Sequence, residues 1–192
     1  MQLTTRQITF AALFTALLAA AGLLSRFLPM IPGTTIPFSL QPLVVYLAGT
    51  VLEKRIAVLS LLAYILLGLI GVPVFAAPPY GGPLYIFVPT FGFLLGFLLA
   101  AWVMAWIFET KQPGLATYII AGLAGVSLVY LVGLPYLYVI LNFYLGKSMA
   151  VLAVIKIAFI PFVGTDLIKA AAAIYVGMIL RQSLGMKNTP IG

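Results

Sequence analysis

Charge is so scarce along this chain that most of it can be buried only in lipid. Of 192 residues, 64% are hydrophobic and 7% are charged, whereas a water-soluble domain carries roughly 25% charged residues to cover its surface. The chain therefore reads as a polytopic membrane protein, whose backbone N–H and C=O groups must pair with one another inside the bilayer. Ala- and Gly-rich apolar runs without period-2 alternation select helices over the strands of a barrel. The expected fold is all-α.

Pro/Gly punctuation divides the apolar runs into six expected spans, at about 8–28, 38–53, 55–71, 84–108, 115–141 and 165–184, with a short surface segment over 149–160. The second and third are short against the ~20 residues a bilayer requires, so a shallow hairpin stays open there. Turn segments fall at 30–37 and 72–83. The latter holds Pro78, Pro79, Tyr80, Gly81 and Gly82 without a charge, which suits a lid and an ordinary connector equally. Pro161 and Gly164 are expected to break the last apolar stretch, with Gly164-Thr165-Asp166 capping the final span and Asp166 complementing its dipole. Basic residues give the orientation. With the N-terminus inside, Arg6, Lys54, Arg55, Lys111, Arg181 and Lys187 face the cytoplasm, while Arg26, Lys147 and Lys156 face out. The excess favours a six-helix bundle with both termini cytoplasmic.

Asp166 is one of three acidic residues, and Lys169 follows it by three. That spacing puts both side chains on one helical face. Charge at membrane depth is costly, usually faces the protein interior and usually serves a function. The pair is either a packing device or a carboxylate and an ammonium aimed at a polar ligand. The adjacent Pro161 and Gly164 favour the ligand, because membrane proteins build small-molecule sites where buried charge meets interrupted backbone. Gln41, beside Pro42 at the entry of the second span, can cap that helix or hydrogen-bond a ligand. With the orientation above, Gln41, Tyr80, Thr90, Tyr136, Asp166 and Lys169 all fall on or near the outer half and outline a pocket.

Other function classes are disfavoured. The absence of His and Cys removes thiolate chemistry, imidazole catalysis and the usual transition-metal ligands. A membrane enzyme would be left with a Ser–Lys arrangement for which no motif is visible. A third class is a passive channel or an assembly protein; a channel should carry polar residues along its full depth, and here they cluster at one end. The net charge of +7 is scattered at the ends of apolar runs, so it meets anionic lipid and does not imply nucleic acid. No P-loop is present, so the chain is expected to hydrolyse no ATP itself. In the first span Ala12, Ala16 and Ala20 form one small-residue ridge, beside Ala11, Thr15 and Ala19. Such a flat face admits a close helix, belonging either to this bundle or to a separate subunit.

Several short motifs, in order, give the chain a resemblance. They are the first-span alanine ridge, Ser39-Leu40-Gln41, and Gly68-Leu-Ile-Gly71-Val-Pro73-Val-Phe75-Ala76. Gly81-Gly82 follows, with Pro89-Thr90-Phe-Gly92-Phe, Tyr130-Leu-Val-Gly133-Leu-Pro135-Tyr136-Leu137 and Pro161-Phe162-Val-Gly164-Thr-Asp166-Leu-Ile-Lys169-Ala170. The chain resembles the BioY family, the biotin-specific S components of energy-coupling factor vitamin transporters. It departs from the family pattern at Ala77-Pro78-Pro79-Tyr80 and at Val88. The resemblance implies a six-helix S component of the plasma membrane that captures biotin from outside, with Asp166, Lys169 and Gln41 on the ureido ring. It also implies docking, through Ala12, Ala16 and Ala20, on a membrane T component driven by two ATPase subunits. An S component for another vitamin is the alternative within the class, because only the pocket separates the members.

Overall fold

The computed structural model describes residues 3–28, 37–112 and 114–183. Residues 30–36 of the expected turn at 30–37, Lys187 and the end of the last span at residue 184 lie outside the described residues. Within them the fold is all-α, as expected. In chain order the helices are α1 (Thr5–Ser25), α2 (Gln41–Val51), α3 (Lys54–Leu69), α4 (Phe91–Thr110), α5 (Leu115–Val139), α6 (Val151–Ala158) and α7 (Ile160–Ser183). A 3-10 turn at Pro83–Phe87 precedes α4, and a π-helical turn at Ile140–Tyr144 extends α5. Four helices are long and apolar enough to cross a membrane: α1, α4, α5 with its π turn, and α7. At 1.5 Å per residue, α2 and α3 are only about 16 and 24 Å long, against a hydrocarbon core of ~30 Å.

Local chemistry explains where the helices begin. Thr4 and Gln7 form a reciprocal capping box, so α1 starts before residue 8. Ahead of α4 the backbone of Val88 is extended, as the steric demand of the following Pro89 requires. The stretch expected as one span from residue 84 is therefore a 3-10 turn, a corner and then α4. The expected break at Pro161–Gly164 is absent. The chain turns instead at Phe159, and Pro161 sits in the first turn of α7, where its missing N–H removes no helical bond. Asp166 is consequently no cap; it lies in the second turn. Pro135 likewise fails to divide α5, which runs through it at the cost of one hydrogen bond to the Leu131 carbonyl.

Small residues set the packing. A Cβ on Gly96 of α4 would lie 2.8 Å from the Val129 carbonyl oxygen of α5, so these two helices meet almost backbone to backbone. On Gly177 of α7 it would lie 2.5 Å from Thr50 of α2. At that contact Arg181, expected to face water, is only 2% exposed. Its Nη1 donates to the Thr50 carbonyl at 3.0 Å, where a cation complements the C-terminal end of α2. Close by chain position, Lys54 pairs with Glu109 at 2.8 Å and the same carboxylate accepts from the Lys54 backbone N–H at 2.7 Å. These groups mark one end of the bundle. The 72–83 connector, α6 and the first turns of α4 and α7 mark the other.

Candidate functional site

The site is built on α7. Asp166 and Lys169 share one face of its second and third turns and are 6% and 8% exposed. Lys169 Nζ donates to Asp166 Oδ1 at 2.7 Å, and the Tyr130 hydroxyl of α5 donates to Oδ2 at 2.6 Å. Nζ also lies 4.0 Å from the centroid of the Phe38 ring, a favourable cation–π separation. Each carboxylate oxygen thus has one internal donor and lone-pair capacity to spare, and the ammonium has donors left after its ion pair.

Gln41 opens α2 and supplies a second polar group. Its Oε1 accepts from Ser39 Oγ at 3.0 Å, and that hydroxyl accepts from the Gln41 backbone N–H at 3.1 Å. Its Nε2 donates to the Tyr64 hydroxyl, which in turn donates to the Val74 carbonyl at 3.2 Å. Tyr85 and Thr90 supply a third, their hydroxyl oxygens 3.4 Å apart. Ser39, Gln41, Tyr85, Thr90, Asp166 and Lys169 line one cavity, walled by Phe93, Phe97, Phe162 and the small side chains of Ala76 and Ala77. The mixture of apolar wall with a few convergent polar groups is that of a small-ligand pocket.

Of the six residues expected from the sequence, Gln41, Thr90, Asp166 and Lys169 line this cavity and Tyr80 and Tyr136 do not. Tyr80 packs its ring on Arg26. Tyr136 donates to the Ile86 carbonyl. The tyrosine that reaches Asp166 is Tyr130, in the same sequence motif. At 3.6 residues per turn, six positions along a helix rotate a side chain by about 240°, so Tyr130 and Tyr136 cannot share the cavity. Helical phase was the signal that could have separated them. Ser39 and Phe93 had a signal of their own, two residues before Gln41 and three after Thr90 in the same motifs, whereas Tyr85 had none, since it reaches the cavity only through the 3-10 turn. On α1 the two ridges separate: Thr15 turns inward and donates to the Ser60 carbonyl at 2.9 Å, while Ala12, Ala16 and Ala20 are exposed.

Among the described residues no three acidic, His or Cys side chains gather into a metal site. Asp166 is held between a cation and a phenol. A helical bundle of membrane-crossing length, with one buried ion pair facing an aromatic-walled cavity, defines a membrane-embedded small-molecule binding protein. The chain belongs to the BioY family, whose model matches residues 1–186. It is 36% identical to the biotin transporter BioY of Thermotoga maritima, over 92% of this chain and 96% of that one. It is 37% identical to the biotin transporter BioY of Rhodobacter capsulatus, over 92% and 94% of the two chains. Its fold is similar to the crystal structure of the S-component for biotin from an ECF-type ABC transporter. There the TM-score is 0.72 at 26% identity, covering 94% of this chain and 95% of the other. These relatives are transporters by name, not enzymes.

Proposed function

We propose that this chain is a biotin-binding S component: it takes biotin from outside the cell and delivers it inward through a T component coupled to two ATPase subunits. In this reading α2 and α3 complete a single domain of six spans in the plasma membrane. Both termini are cytoplasmic and the cavity opens outward. The basic residues support that orientation, since Arg6, Lys54, Arg55 and Lys111 stand at helix ends remote from the cavity.

The observation that carries the reading is the buried Asp166–Lys169 pair at the cavity wall, with spare acceptors on one partner and spare donors on the other. The ureido ring of biotin presents two N–H donors beside one strong C=O acceptor, so an ionised carboxylate and an ammonium match it group for group. Gln41 Nε2 keeps one N–H beyond its bond to Tyr64 for a further edge of the ring. The aromatic walls suit the thiophane ring and the valerate chain.

Titration of the purified protein with biotin, beside thermal unfolding, tests this. Asp166→Asn replaces an acceptor by a group that presents N–H in one orientation. Loss of one charged hydrogen bond costs about 1.5–3 kcal/mol, so affinity should fall by about one to two decades. Lys169→Met keeps much of the stem, removes the donor and leaves Asp166 uncompensated, so the loss should be as large or larger. Native affinity in both variants, or selective binding of another vitamin by the parent, would remove biotin from this site.

A further inference from the structure

The 72–83 connector is not built as a free flap. Val74, Phe75, Ala76 and Ala77 are all buried and the Phe75 ring is fully enclosed. That ring stands edge-on to Tyr64 at 5.5 Å and tilted on Tyr85 at 4.2 Å. Between Pro73 and Gly82 the chain has no regular secondary structure, so its carbonyls need donors from elsewhere. Arg26, which caps the C-terminal end of α1, provides them for two of these carbonyls. Its Nη2 donates to the carbonyls of Pro73 and Phe75, and its Nε to Phe75 at 3.3 Å. The guanidinium also lies 4.1 Å from the centroid of the Tyr80 ring.

Tyr80 adds a second observation. Its φ is +69°, a conformation that bulky residues adopt rarely and keep only where the surroundings over-determine it. Here its N–H donates to the Ala77 carbonyl and its own carbonyl accepts from the Phe75 N–H, both at 2.9 Å, while Arg26 covers the ring. A guanidinium can bridge two carbonyls along its edge and stack on a ring with its face, and an ammonium cannot do both. Ala76 and Ala77 lie between the anchored points and face the cavity.

We propose that Arg26 is a positioning residue for ligand binding. It pins the 73–80 segment so that Ala76 and Ala77 form a fixed cavity wall, and it ties that wall to the end of α1. The proposal rests on the reading of this cavity as the biotin site and extends it to a residue outside the cavity.

The chain contains no cysteine, so Ala77→Cys introduces a single thiol into the wall. Its rate of labelling by a water-soluble maleimide is measured without ligand in the full-length protein, alone and combined with Arg26→Lys, Arg26→Met, Tyr80→Phe or Tyr80→Leu. Labelling should be at least tenfold faster with Arg26→Met and Tyr80→Leu. It should match the parent with Tyr80→Phe, which keeps the ring, and be intermediate with Arg26→Lys. With Ala77 restored, Arg26→Met should release bound biotin about tenfold faster. Equal labelling in all backgrounds, with only a uniform drop in thermal stability, overturns the proposal; so does Tyr80→Leu behaving as Tyr80→Phe. The expected labelling pattern in a parent that binds no biotin would uphold the pinned wall and dismiss the biotin reading instead.

Discussion

Two tyrosines near the middle of the bundle make opposite use of the same hydroxyl. Tyr130 donates to Asp166 at 2.6 Å and sets its ring edge-on to Phe159 and Phe93. Tyr46 of α2 is completely enclosed, and among the described residues its hydroxyl has no partner. Tyr130→Phe keeps the ring contacts and removes a donor that orients the carboxylate. Biotin affinity should fall by roughly tenfold, which is about 1.4 kcal/mol, with Lys169 still in place. A titration showing a larger loss than Asp166→Asn would mean that the hydroxyl meets the ligand directly and would reassign it. Tyr46→Phe deletes a buried polar group that gains no hydrogen bond, and such a group costs about 1–3 kcal/mol. The variant should unfold at a higher temperature and bind biotin as the parent does. A lower unfolding temperature would show that the hydroxyl is satisfied by water.

At the scale of the helix, the α4–α5 contact carries Phe93 and Tyr130 into the cavity, and Gly96, with Gly92, Gly125 and Gly133, is one of the residues that permit it. Gly96→Leu would drive a side chain into the Val129 backbone at a separation no rotamer relieves. Overpacking costs typically 1–3 kcal/mol, and backbone as the obstacle puts this case at about the upper end. The expected outcome is a lower unfolding temperature together with weaker biotin binding, because the two cavity residues separate. Unchanged binding in a destabilised protein would show that α4 and α5 hold the cavity independently of this contact. How much of these elements is legible in the sequence depends on what breaks a helix. Val88 before Pro89 marks a corner by local sterics, and the Pro89 corner was readable in principle. Pro161 and Gly164 look like a stronger signal and are not one, since a proline in a first turn removes no bond and Gly164 faces open space. The charged pair was legible, because a carboxylate and an ammonium in an apolar chain admit few explanations. The buried Arg181 was not. It occupies a chain position typical of a water-facing anchor, and the close approach allowed at Gly177 and the Phe108 ring of α4 enclose it.

Across the whole molecule α1 has two faces with different employment. Phe14, Leu18, Ala21, Gly22 and Ser25 are buried in the bundle, and Thr15 hydrogen-bonds across to α3. On the other side Ala12, Ala16 and Ala20 are exposed, one helical turn apart, flanked by exposed Leu13, Leu17 and Leu24. Lipid tails are as apolar as leucine, so the hydrophobic effect gives no reason to bring a second helix to this face. What a row of alanines offers is a close approach in which dispersion contacts replace lipid. In the proposed function an S component must meet its energised partners at some face, and we propose for it this exposed ridge, on the helix whose end is tied to the cavity wall through Arg26. The prediction is that Ala16→Trp fills the ridge without touching the core. Biotin binding by the isolated protein and its unfolding temperature should stay within error of the parent, because residue 16 has no inward contact to lose. Co-purification with the T component and the two ATPase subunits should fall to background, and uptake of labelled biotin by cells expressing the complete transporter should fall with it. The same substitution at Ala12 or Ala20 should act in the same direction, whereas Leu13→Trp, off the ridge, should be tolerated. Retained co-purification with Ala16→Trp would move the docking surface elsewhere. Simultaneous loss of binding and assembly would show that the ridge packs within the bundle of the membrane-embedded protein.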